Sequence, residues 1–214
     1  MKSPALRSWL LGTTSSTLII NGFCSSTRAR SPISFVCARL IESLESQAKD
    51  NFFIVHFFCG QHLFSTTDSN ATPLGMVNSL LAQLLSQYPD FEISSQDLAD
   101  ISPNTLDSVQ CLFEKLVGQL DASMLVFCII DGISLYEDAA RLAETRKVMH
   151  GLTELVAKYD GIGPVFKLLL TSPTRIKNLP ERVAKDEVLS VSREVPPQAG
   201  LSVLRNGKIR QEAS

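Results

Sequence analysis

No two of the five cysteines, Cys24, Cys37, Cys59, Cys111 and Cys128, have the C-x-x-C spacing, and their number is odd. That argues against a disulfide framework or a dithiol redox motif. Histidine is scarce too: His56, His62 and His150 show no ligand spacing with the cysteines, which argues against zinc. Most of the thiols sit in apolar runs, so they are expected to be buried and reduced in an intracellular protein, with cytoplasmic location. An excess of one charge is also missing. Twenty Lys and Arg against 22 Asp and Glu give a formal net charge of -2, and Arg28 and Arg30 are only a local pair. Nucleic acid is therefore not an expected partner. No apolar run approaches the ~20 residues of a membrane span. The longest, FFIVHFF and MLVFCII, have the length of buried strands. The opening MKSPALRSWLLGTTSSTLII mimics a secretion signal only until Gly-Thr-Thr-Ser-Ser-Thr interrupts it. Neither secretion nor a membrane partner is expected. G-x-S-x-G, G-x-G-x-x-G and H-E-x-x-H are absent, which removes the common hydrolase, dinucleotide and metalloprotease signatures.

What is present is a 214-residue chain, 44 % hydrophobic, with ample material for one core. Strands are expected at Thr17 to Asn21, Phe52 to Cys59, Met124 to Ile130 and Phe166 to Thr171, with a fifth at Glu187 to Val191. They are continuous runs of Leu, Phe and β-branched residues without polar alternation. Such strands belong to sheets covered on both faces, hence to mainly parallel ones. Helical periods lie between them: Pro32 to Leu44 with Ser31 as N-cap, Met76 to Gln87, Leu106 to Leu120, and Arg146 to Tyr159. The expected fold is a doubly wound α/β domain, a mainly parallel five-stranded sheet with helices on both faces and right-handed crossovers. Residues 1–16 read as a lead-in, 17–192 as the domain and 193–214 as a polar, disordered tail opened by Pro196-Pro197. Gln61 to Pro73 reads as a polar loop.

The stretch LIINGFCSSTRARSPISF, Leu18 to Phe35, reads strand, glycine, polar loop, helix. A working phosphate loop, G-x-x-x-x-G-K-S/T, needs glycines so that backbone N–H groups can wrap the phosphates. It also needs a lysine for the β and γ phosphates and a hydroxyl for Mg²⁺. Without an insertion, Gly22 is the first glycine, Thr27 replaces the second, Arg28 the lysine and Ala29 the hydroxyl. With a two-residue insertion, Arg30-Ser31 stands for Lys-Ser, and Pro32 opens the helix. Either way an arginine replaces the lysine, keeping the charge but not the compact shape. A second candidate is MLVFCIIDGIS, an apolar strand ending in Asp131, where a carboxylate would hold Mg²⁺ through water. A third is FKLLLTSPTR, where Thr171 and Ser172 would meet the γ-phosphate as a sensor. Each has a plainer reading as a polar loop, a turn-starting Asp or a strand terminus. His56 and the FFIVHFF aromatics read as core.

The segments SWL at Ser8 to Leu10, LIINGFCSS, SPISFVCARLIESL, FFIVHFFCG, GMVNSLLAQLL, LVFCIIDGIS and VFKLLLTSP, in this order, resemble the P-loop NTPase domain of STAND proteins. The likeness is greatest to NACHT and nephrocystin-like N-terminal domains of large fungal proteins, and runs from about Trp9 to Arg175. It implies an ASCE-type sheet of strand order 5-1-4-3-2, which would bring Gly22, Asp131 and Ser172 to one edge. The cofactor-binding residues it implies are Gly22, Ser25, Ser26, Thr27, Arg28, Arg30, Ser31, Asp131 and Ser172, with Asp131 and Ser31 as Mg²⁺ ligands. If the loop still grips phosphate, the cofactor is ATP or GTP with Mg²⁺; if it does not, there is none.

The departures weaken hydrolysis. NACHT domains read D-G-I/L/V-D-E, whereas Asp131-Gly132-Ile133 is followed by Ser134 and Leu135, and Glu137 and Asp138 come late. The family's sensor reads T-S-R, but Thr171-Ser172 meets Pro173. Lysine, water-activating acid and sensor are altered together, and phosphoryl transfer rests on positioning and charge. The leading expectation is a degenerate regulatory or interaction module with weak or no hydrolysis, working through protein partners. The alternatives are an active NTPase using Arg28 or Arg30, and an unrelated α/β domain. STAND switches continue into helical, winged-helix and repeat parts. Nothing after Arg175 is long enough for these, so a fragment, a truncated product or a stand-alone core is expected.

Overall fold

The computed structural model describes residues 3–23, 31–47, 51–101, 104–178, 183–184 and 187–191. Among them five strands, β1 (Ser16–Asn21), β2 (Phe52–Phe58), β3 (Leu125–Asp131), β4 (Val165–Ser172) and β5 (Val188–Ser190), form one sheet in the order β2-β3-β4-β1-β5. Every pairing is parallel. Read from the other edge this is 5-1-4-3-2, the order that a P-loop NTPase-like fold has.

Among the described residues six α-helices flank the sheet: α1 (Pro4–Leu11), α2 (Pro32–Gln47), α3 (Pro73–Gln87), α4 (Ser95–Ile101), α5 (Leu106–Val117) and α6 (Leu142–Lys158). Side chains alternate across each strand, so the two faces have separate cores. Ile19, Val55, Phe57, Cys128, Ile130, Leu168 and Leu170 pack beneath α3, α5 and α6. Leu18, Ile20, Ile54, Phe127, Ile129 and Leu169 pack beneath α1 and α2. This double burial is why the strands lack polar alternation.

Helix starts follow local chemistry. Ser3 caps α1 and Pro4 enters its first turn. Ser31 Oγ accepts from Ser34 N at 3.1 Å while Ser34 Oγ accepts from Ser31 N at 3.2 Å, a reciprocal cap for α2. Thr72 and Pro73 start α3 one turn before Met76, and Thr105 with Ser108 caps α5. Helix α5 stops at Val117 because Gly118 and the turn after it take over. Helix α6 begins at Leu142, ahead of Arg146, where Asp138 Oδ1 accepts from the Ala140 and Arg141 N–H groups and the Asp138 carbonyl from Leu142 N.

Two helices have no counterpart in the sequence reading. Helix α1 lies in the lead-in and buries Leu6 and Trp9 against the sheet. Helix α4 has no fully buried residue; a Lys115–Asp97 ion pair joins it to α5, and Ile101 at its end packs half-buried against the core. His56 also departs from expectation: it is half-buried, and its Nδ1 has no hydrogen-bond partner among the described residues. Among the described cysteines Cys37, Cys59 and Cys128 are buried free thiols, whereas Cys111 is exposed. The tail, 193–214, lies outside the described residues, and no described helix is long and apolar enough to cross a membrane.

Candidate functional site

The carboxyl ends of β1, β3 and β4 meet at one edge. Strand β1 leads to α2 on one face and β3 leads to α6 on the other, the divergence that opens a ligand crevice in doubly wound sheets. Backbone bonds hold the ends together: Gly22 N donates to Ser172 O at 2.8 Å and Gly132 N to Thr171 O at 2.9 Å. Gly22 is confined. A Cβ there would lie 2.8 Å from Pro173 O and 2.9 Å from Ile33 Cδ1. Gly132 takes φ +78°, the left-handed value that lets the chain turn directly after Asp131.

Asp131 is 2 % exposed. Its Oδ1 accepts from Thr171 Oγ1 at 2.5 Å, and Thr171 Oγ1 accepts in turn from Cys37 Sγ at 3.8 Å. Burial, and secondly the negative Asp131, push the Cys37 thiol up to about 12, so it stays protonated. Beside this trio lies a chain of hydroxyls. Ser172 Oγ donates to Ser134 Oγ at 2.5 Å, Ser134 Oγ lies 3.1 Å from Thr174 Oγ1, and Thr174 N donates to Ser172 Oγ. Asn21, immediately before Gly22, accepts from Ile176 N through its side chain and from Val191 N through its carbonyl.

The nearby acids are committed elsewhere. Glu137 accepts from the backbone N–H groups of Lys177 and Asn178 and from the Asn178 amide. Asp138 pairs with Arg141, whose guanidinium holds its carboxyl below the usual range. Arg141 also lies 4.3 Å over the Tyr136 ring.

Of the residues expected from the sequence, Gly22, Asp131 and Ser172 are together at this edge. Ser31 is buried at the start of α2, with its hydroxyl engaged in the cap. Ser25, Ser26, Thr27, Arg28 and Arg30 lie outside the described residues. The sequence reading missed Cys37, Thr174 and Asn21 as participants. Thr174 had a local signal, the TSPT run, whereas Cys37 reaches the site only through the packing of α2 on β4.

A hard cation wants several oxygen ligands with open lone pairs. Among the described residues that fit is poor: one Asp131 oxygen is taken by Thr171, Ser31 Oγ is taken by the cap, and no cluster of three metal-ligating side chains exists. The hydroxyls of Ser134, Ser172 and Thr174 can bond a water or an oxyanion, but none can take a proton from water at neutral pH.

A family model described as Nephrocystin 3, N-terminal, matches residues 1–172. No curated protein matches the chain.

Proposed function

We infer, on the premise that this chain belongs to the nephrocystin 3 N-terminal family, that it is a degenerate P-loop domain of NACHT or STAND type. It acts as a regulatory or interaction module with weak or no hydrolysis of nucleoside triphosphate. The observation that carries this reading is Ser134. It stands where such domains have a water-activating acid, and its hydroxyl is bonded to Ser172 and Thr174. The next acids along the chain hold the 177–178 loop and Arg141 instead. Loss of a positioned general base costs such a reaction about 10²–10⁴-fold. The domain would then work by presenting its surface to protein partners, with the glycine-led loop kept as scaffold or as a binding site for ATP or GTP.

The test is calorimetric titration of the purified chain with ATP and GTP, with and without Mg²⁺, alongside phosphate release. Release no faster than from the Asp131→Ala variant is expected. Turnover that Asp131→Ala abolishes overturns the reading. Saturable binding lost in Arg28→Ala or in Arg30→Ala would keep nucleotide as a ligand and choose the register of the loop.

A further inference from the structure

At the other end of the sheet, the amino-terminal starts of β1 and β4 hold a lysine where an apolar residue would be expected. Lys167 pairs in register with Ser16 and lies on the α1 and α2 face, two positions before the core residue Leu169. It is 1 % exposed. Its ammonium donates to Ser16 Oγ at 2.9 Å, and that is its one acceptor among the described residues. An ammonium has three N–H donors, so two are left over. No ion pair includes it among the described residues.

The side chain lines a cavity of about 270 Å³ between α1 and the sheet, with Ser8, Trp9, Gly12, Ser16 and Glu187. Gly12 makes room for the amine: a Cβ there would lie 3.1 Å from Nζ. Glu187 is the one carboxylate among the described residues of the lining, and its Oε2 accepts from Ala184 N at 2.7 Å. A buried ammonium without a counter-charge is costly unless an anion joins it. Burial accordingly lowers the Lys167 pKa, with no acidic side chain offsetting the shift.

We propose that this cavity is a binding site for a compact oxyanion, the carboxylate or phosphate group of a small metabolite, held by Lys167 Nζ and Ser16 Oγ. The volume lies just under the ~300–1,000 Å³ of drug-sized sites, so the occupant is small. The hydroxyl of Ser16 supplies a second donor once the anion takes up the ammonium. The site is separate from the Asp131 edge, roughly 16 Å away along β4, and stands whether or not that edge binds nucleotide.

The experiment is thermal unfolding of the full chain titrated with sodium phosphate or sodium acetate at constant ionic strength, set by chloride. Lys167→Met and Ser16→Ala run in parallel. Methionine keeps the volume and removes the uncompensated charge, so Lys167→Met is expected to fold with a Tm no lower than wild type. Wild type is expected to gain about 3–6 °C at tenfold saturation by one anion, Ser16→Ala less, and Lys167→Met nothing. The anion giving the tighter saturation separates carboxylate from phosphate. An equal gain in wild type and Lys167→Met places the anion elsewhere, the phosphate loop included, and overturns the proposal. So does the absence of any gain in wild type with both anions.

Discussion

Thr171 is the residue on which the candidate edge turns. It is fully buried, donates to Asp131 and accepts from Cys37. Thr171→Val keeps the shape and removes the hydroxyl, leaving a buried carboxylate without its neutral donor. Destabilisation by about 1.5–3 kcal/mol is expected, the range for a hydrogen bond to a charged group. Thr171→Ser keeps the hydroxyl and loses one methyl, so its cost should stay near 1 kcal/mol. Urea unfolding of the two variants checks this; equal losses would mean that packing of the methyl, and not the bond to Asp131, sets the value. Asp131 was legible in the sequence because a carboxylate closing an apolar strand is conspicuous. Thr171 was singled out as well, but not its bond to Asp131, and Cys37 was not, since it lies in α2 and meets Thr171 only across the helix–sheet packing.

Two elements show how side chains finish what the backbone leaves open. Strand β2 is an edge, and edges template unwanted strand pairing. Helix α3 covers it with two glutamines one turn apart. The Gln87 amide accepts from Ile54 N and donates to Ile54 O, and Gln83 does the same for His56, each bond at 2.9 Å. Both glutamines thereby imitate a neighbouring strand. The double variant Gln83→Ala with Gln87→Ala should lose exchange protection at the Ile54 and His56 amides and associate as concentration rises. Hydrogen exchange by NMR and light scattering would detect this, and a monomer with unchanged protection would refute it. Helix α4 is the opposite case, an element with no fully buried residue, held by one ion pair and by Ile101 packed at its end against the core. Bonds from Lys115 and, next, Ser94 hold the Asp97 carboxyl at about 2, below its ordinary 3.8. A depressed acid contributes above its unfolded value and loses that contribution as pH falls through its folded one. Helix α4 should therefore loosen between about pH 4 and 2, read by NMR shifts of Leu98 and Ala99 moving toward random-coil values. Asp97→Asn should reproduce the change at neutral pH. A helix that stays docked in that variant would show that the ion pair is not its anchor.

For the whole molecule, Trp9 is the informative probe, the single tryptophan of the chain. It is 5 % exposed, donates from Nε1 to Ser16 O at 3.1 Å, and packs edge-on against Phe127 of the central sheet with ring centroids 5.7 Å apart. If α1 and the sheet form one cooperative unit, Trp9 fluorescence and far-ultraviolet circular dichroism should report the same denaturant midpoint. Trp9→Ala should cost about 3–5 kcal/mol, as large-to-small core substitutions do. A fluorescence transition well ahead of the dichroism would instead make α1 a separately opening part.

The sequence alone determined the α/β class, the five strands and the four longer helices, because apolar runs buried on both faces and 3.6-residue periods are local signals. It also singled out Gly22, Asp131 and Ser172, since each ends or follows a strand. Helix α1 escaped it: the short SWLL run lacks a period long enough to read, and Trp9 is a core residue only because Phe127 stands opposite. The capped edge of β2, the hydroxyl chain from Ser172 through Ser134 to Thr174, and the burial of Lys167 were decided by tertiary structure alone. Each joins residues 27 to 151 positions apart, and no pattern along the chain records which side chain will face which once the sheet has closed.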